Sequence, residues 1–77
     1  MIAARIKRAR KTLGWSHDRL GDEMGGVVRQ TLIGYEKGEH RPRLRMLERI
    51  AEATRREVRW FIDPEAEPSP FPVEEAA

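Results

Sequence analysis

The sequence contains no cysteine. That excludes a disulfide framework, a thiolate metal site and a cysteine nucleophile, and it fits a reducing compartment. Aromatic residues are only 6% of the chain. No apolar run approaches the roughly 20 residues a membrane span needs, and the N-terminus lacks the apolar stretch of a signal peptide. Length is scarce too: 77 residues allow one small domain. Such a domain buries about 60% of its unfolded surface and has little room for an enclosed active site. Catalysis, secretion and membrane insertion are disfavoured, and a cytoplasmic location is expected.

What the chain does have is charge, 36% of its residues, with a formal net of +2. The distribution matters more than the total. Five of the 13 acids (Asp63, Glu65, Glu67, Glu74 and Glu75) lie in residues 63–77, which hold no Lys or Arg and four of the five prolines. Residues 1–62 therefore carry 15 bases against eight acids, a net charge of +7. The chain reads as a basic domain, 1–62, followed by an acidic, proline-rich tail, 63–77. A basic surface of this kind attracts polyanions, chiefly nucleic acid.

Helical periodicity runs through the basic part. Ile2, Ile6, Ala9 and Leu13 form an apolar stripe at spacings of four, three and four, and Gly14 stops it. Ser16 is placed to cap a second helix, with Asp18 in its positive first turn. Trp15 and Leu20 occupy the two positions of a hydrophobic staple. That helix is short and ends at Gly25-Gly26. Val27 and Val28 open a third helix that turns Leu32 and Tyr35 inward and ends at Lys37-Gly38. Val28 lacks the side-chain oxygen of a good cap. Pro42 stands near the start of a fourth helix with Leu44, Leu47, Ile50, Ala51 and Thr54 on one face. Val58, Trp60, Phe61 and Ile62 make a short fifth. The expected fold is all-α, five short helices with tight loops.

Two short helices joined by a glycine turn inside a basic all-α domain suggest a helix-turn-helix. Over roughly residues 4–62 the chain resembles the phage repressor and Cro type of helix-turn-helix domain, the lambda-repressor-like fold. The resemblance rests on Arg10 six residues before Ser16, on His17, Gly21 and Gly25 at the first, fifth and ninth motif positions, and on Thr31-Leu32 followed by Tyr35-Glu36-Lys37-Gly38. Pro42, Leu44, Leu47, Ile50-Ala51 and the Val58…Trp60-Phe61 ending extend it. There are departures. Gly25-Gly26-Val27 is one residue longer than the usual turn, Gly21 replaces alanine, and Val28 replaces a capping serine. Gly34 stands where a long polar side chain is common. Thr54-Arg55-Arg56 replaces a leucine, a glycine and an apolar residue.

The resemblance implies roles. The third helix enters the major groove, so Arg29, Gln30, Ile33, Gly34 and Thr31 are expected to meet base edges. Arg29 has the bidentate geometry for guanine and Gln30 that for adenine, although Arg29 is equally consistent with an ordinary phosphate-binding or solvated arginine. Ile33 can touch a thymine methyl, and Gly34 permits close approach. Ser16, His17, Lys37, His40, Arg41 and Arg43 are expected at phosphates; the alternative is a solvated loop. Arg10 and Glu36 correspond to a partly buried structural ion pair. The two histidines have no companions at metal-ligand spacing, so neither a metal nor a cofactor is expected, and adjacent Ser16-His17-Asp18 is no catalytic triad.

The expected function is that of a small transcriptional regulator, a repressor that binds double-stranded DNA and occludes a promoter, of phage or prophage type by resemblance. One module contacts few bases, so a homodimer on a near-palindromic operator is expected, with Val58, Trp60, Phe61 and Ile62 as its seam and Phe71 as a possible arm from the tail. A second reading makes the chain an antitoxin-like interaction module whose tail, through Phe71 and Val73, binds a partner protein.

Overall fold

The computed structural model describes residues 1–63 and 65, so the tail with Phe71 and the partner-binding reading attached to it lie outside the described residues. The described residues form five helices: α1 (Ile2–Thr12), α2 (His17–Glu23), α3 (Arg29–Lys37), α4 (Leu44–Thr54) and α5 (Val58–Ile62). Each boundary has a local cause. α1 closes at Leu13, after which Gly14 takes φ +71°. Ser16 caps α2, its Oγ accepting the Arg19 N–H at 3.0 Å. α3 starts at Val28 without a side-chain cap and stops at Gly38, whose left-handed φ of 78° suits a residue with no Cβ. α4 also ends left-handed, but on Arg55 at φ 61°.

The predicted stripes meet in a single core, except for Leu44, which stands 62% exposed at the start of α4. Ile6 and Ala9 of α1, Leu20 and Met24 around the end of α2, Leu32 of α3, Leu47, Ile50 and Ala51 of α4, and Trp60 and Phe61 of α5 are all buried. α1 lies against α3 and α5, while α2 is held between α3 and α4. Thr54, standing where an apolar residue is usual, is buried without penalty because its Oγ1 donates to the Ile50 carbonyl at 2.8 Å.

Helix α5 corrects one expectation. Its apolarity suggests a seam between two copies, yet Phe61 is fully buried and Trp60 nearly so within one chain. The two rings meet edge to face, 87° apart with centroids at 4.9 Å. The guanidiniums of Arg56 and Arg5 lie 4.0 and 5.1 Å from the Trp60 ring centre. A domain this small needs those rings for its own core. Val58 is half-buried against the same core, and Ile62 alone on α5 remains an exposed large apolar side chain.

Candidate nucleic-acid interface

The geometry of the α2–α3 unit begins in its turn. Gly25 and Gly26 both take positive φ, 92° and 106°, and the chain folds back so that the Gly26 and Val27 amides donate to the Gly21 carbonyl at 2.9 and 3.0 Å. The Arg49 guanidinium of α4 donates to the Met24 carbonyl at the end of α2. The turn is therefore held from both sides by hydrogen bonds to its backbone.

A buried ion pair holds α3 at its far end. Arg10 donates to Glu36 through two parallel bonds, Nε to Oε2 at 2.8 Å and Nη2 to Oε1 at 3.0 Å, and donates a third to the Trp15 carbonyl at 2.8 Å. One residue thereby ties α1, the α1–α2 loop and α3 together. Burial pushes the Glu36 carboxyl up most strongly, but the hydrogen bonds and charges of Arg10 and His17 outweigh it and hold the group below its ordinary value. The hydrogen bond to Glu36 raises Arg10 in turn, against the opposing effect of burial.

Helical geometry sorts the remaining α3 side chains. With Leu32 and Glu36 turned inward, Gln30 and Lys37 are exposed on the opposite side with half-buried Ile33 beside them, while Arg29, the first residue of the helix, is exposed on the flank toward Asp18 of α2. Thr31 is half-buried and faces α4. Together with Gln30, His40, Arg41, Arg43 and Arg49 it lines an open recess of about 620 Å³.

The structure places the other predicted site residues unevenly. Lys37, His40, Arg41 and Arg43 are exposed around the loop between α3 and α4, beside the outward face of α3. Ser16 is exposed at the start of α2. His17 has a protein partner: its Nε2 lies 3.2 Å from Glu36 Oε1, and only 26% of its side chain is exposed. Gly34 is a correction. It is buried, and a Cβ there would come within 2.7 Å of His40 Cδ2. The close approach that Gly34 permits is that of a loop histidine of the same chain, so the glycine is not open to a base.

Two cationic residues were missed. Arg45 and Arg49 line the recess from α4. Their four-residue spacing on the helix was the available signal, overshadowed by the apolar face of the same helix. Among the described residues no group of three or more potential ligands could hold a metal ion, and no helix is long and apolar enough to cross a membrane.

Comparison with known proteins shows the family. A helix-turn-helix family model matches residues 6–61. The chain is similar to an uncharacterized HTH-type transcriptional regulator of Methanothermobacter thermautotrophicus, 44% identical over 52 residues that cover 68% of this chain and 74% of that protein. No solved structure matches it.

Proposed function

The chain belongs to the helix-turn-helix family of the phage repressor and Cro type, and from that premise we propose that it is a DNA-binding transcriptional regulator, not an enzyme, that reads sequence by inserting α3 into the major groove. The observation that carries this reading is the outward face of α3. Arg29 and Gln30 stand exposed at its N-terminal end with Lys37 one helix-length on, and a buried bidentate ion pair fixes the helix behind them. Gln30 pairs with an adenine edge, Arg29 with guanine, and Ile33 with a thymine methyl.

Phosphate contacts fall to Lys37, Arg41 and Arg43, joined by Arg45 along the recess. Ser16 keeps its hydroxyl hydrogen for a phosphate oxygen while its oxygen caps α2. His17 reaches the backbone only with the part of its ring that Glu36 leaves free. Two copies present their α3 helices about 34 Å apart to a near-palindromic operator, and bound there they exclude polymerase from a promoter. An exposed apolar surface suited to pairing is that of Ile62, 46% exposed, which shares a groove with Met1, 54% exposed. DNA as the target places the protein with the nucleoid.

Selection of bound duplexes from a random pool at near-physiological salt tests the reading. The expected outcome is an enriched inverted repeat with half-sites one helical turn apart. Binding that enriches nothing and vanishes with added salt would leave only the phosphate attraction and overturn it. Sedimentation of the protein with its selected operator tests the pairing: two chains per site are expected, and Ile62→Asp should weaken that stoichiometry.

A further inference from the structure

We infer that His40, a loop residue, is a base-reading side chain of the α3 surface, seated on Gly34 in the place of the side chain α3 lacks there; the inference rests on α3 being the groove helix. Gly34 follows Ile33 and neighbours Gln30 one turn away, at the edge of the outward face of α3. A residue so placed is ordinarily open to solvent. Gly34 is nevertheless buried, because the His40 ring covers it. The ring atoms nearest the position of a Cβ are Cδ2 at 2.7 Å, Nε2 at 3.5 Å and Cγ at 3.7 Å. The volume that a side chain of residue 34 would fill is thus taken by imidazole.

Backbone hydrogen bonds put it there. Gly38 turns left-handed and caps α3. The chain then doubles back so that the Glu39 and His40 amides both donate to the Gly34 carbonyl, at 2.9 and 3.4 Å. His40 therefore stands on the helix it follows, unlike an arginine swinging freely from a loop. His40 as a residue remains exposed, and it lines the same recess as Gln30 and Thr31.

The chemistry of the side chain favours a base over a phosphate. Imidazole is short and rigid, and a neutral ring carries one donor and one acceptor. A ring pinned by its Cδ2 edge to α3 presents Nδ1 and Cε1 on the opposite edge, which fits a single contact to a purine N7 or a guanine O6 in the major groove. Arg41 and Arg43 beside it already supply long cationic side chains for phosphates. The base pair concerned is the one next to that met by Gln30.

The test compares selected motifs for the wild-type protein, His40→Ala, Gly34→Ala, the double variant and Lys37→Ala. Gly34→Ala leaves every side chain of α3 in place but adds a Cβ that displaces the ring, and alanine favours the helix, so its unfolding midpoint should not fall. His40→Ala and Gly34→Ala should each lose base preference at one and the same position beside the Gln30 contact. Each should bind the best site roughly tenfold more weakly, as for loss of one base contact, and the double variant should be no worse than either. Lys37→Ala should keep the whole motif and weaken all sites evenly. The inference is overturned if His40→Ala behaves like Lys37→Ala, with an intact motif and a shallower salt dependence, or if Gly34→Ala keeps the full motif. A wild-type protein that enriches no motif would overturn the groove reading itself, and the inference with it.

Discussion

The carbonyl of Val27 lies against the Cα of Gly21, so close that a Cβ on residue 21 would stand 3.2 Å from the Val27 carbonyl carbon and inside the contact radius of its oxygen. Two separate departures from the family pattern, a turn longer by one residue and a glycine in place of alanine in α2, are one feature in the folded chain. The longer turn has to pass somewhere, and it passes over α2 at the position whose side chain is missing. The Gly26 and Val27 amides then bond to the Gly21 carbonyl, which turns the close approach into a brace between α2 and α3.

Gly21→Ala should therefore be destabilising although alanine is the better helix former. The backbone atom it meets cannot rotate away, and overpacking of this kind costs about 1–3 kcal/mol, or roughly 4–8 °C of unfolding midpoint per kcal/mol in a domain this size. Deleting Gly26 in the Gly21→Ala background should recover part of the loss, because the shortened turn no longer needs the space. Thermal unfolding of the two single variants and the double gives the coupling. Additive losses would mean that turn length and residue 21 are independent.

The elements of the fold were legible because they depend on local rules. The stripes at helical period, Ser16 as a cap and Gly38 as a stop specify their helices whatever they pack against. The exposure of Arg29 and Gln30 at the start of α3 was legible for the same reason. What was not legible depends on contacts across the chain. Nothing local to Gly34 tells that His40 returns to cover it, and nothing local to Trp60 and Phe61 distinguishes a side chain buried in its own domain from one waiting for a partner. His17 likewise reads as a free polar residue until Glu36, 19 residues on, is folded against it.

Glu36 should make stability depend on acidity. Its carboxyl is held below its usual value of 4.5 in the folded protein, so the unfolded chain binds the proton more readily. The stabilisation is fully present above the unfolded value and is lost as pH falls through the depressed folded one. Denaturant titrations between pH 7 and pH 3 should show a decline over the lower part of that range, and Glu36→Gln should flatten it. At pH 7 the same substitution leaves Arg10 buried without its carboxylate, a loss of about 3–5 kcal/mol. A Glu36→Gln variant with the wild-type acid profile would place the acid sensitivity elsewhere.

Arg55 is an opportunity for stabilisation. It holds φ 61° and ψ 42° at the end of α4, where its amide closes the helix onto the Ala51 and Glu52 carbonyls. A residue with a Cβ pays about 1–2 kcal/mol for that conformation; glycine removes that strain, but its greater freedom in the unfolded chain offsets part of the gain. Arg55→Gly should raise stability by about 0.5–1 kcal/mol, visible as several degrees in the unfolding midpoint. A fall would mean that the Arg55 side chain contributes more than its backbone costs.

Asp18 sets the electrostatic surroundings of Arg29 at the start of α3. Its Oδ2 lies 3.9 Å from Arg29 Nη1, and both side chains are more than half exposed. A pair in that setting contributes at most about 1 kcal/mol to folding, so its consequence is sought in DNA binding. The carboxylate draws Arg29 toward α2 and repels incoming phosphates. Asp18→Asn should raise affinity for the selected operator about threefold at low salt, with the gain shrinking as added salt shortens the screening distance. The loss of a favourable acid in the first turn of α2 should lower stability by about 0.3–1 kcal/mol, so folding and affinity should move in opposite directions. The gain should be much smaller in an Arg29→Ala background, since part of it comes from releasing that guanidinium. Equal gains in both backgrounds would show that Asp18 acts on the phosphates alone and that Arg29 reaches its base unhindered.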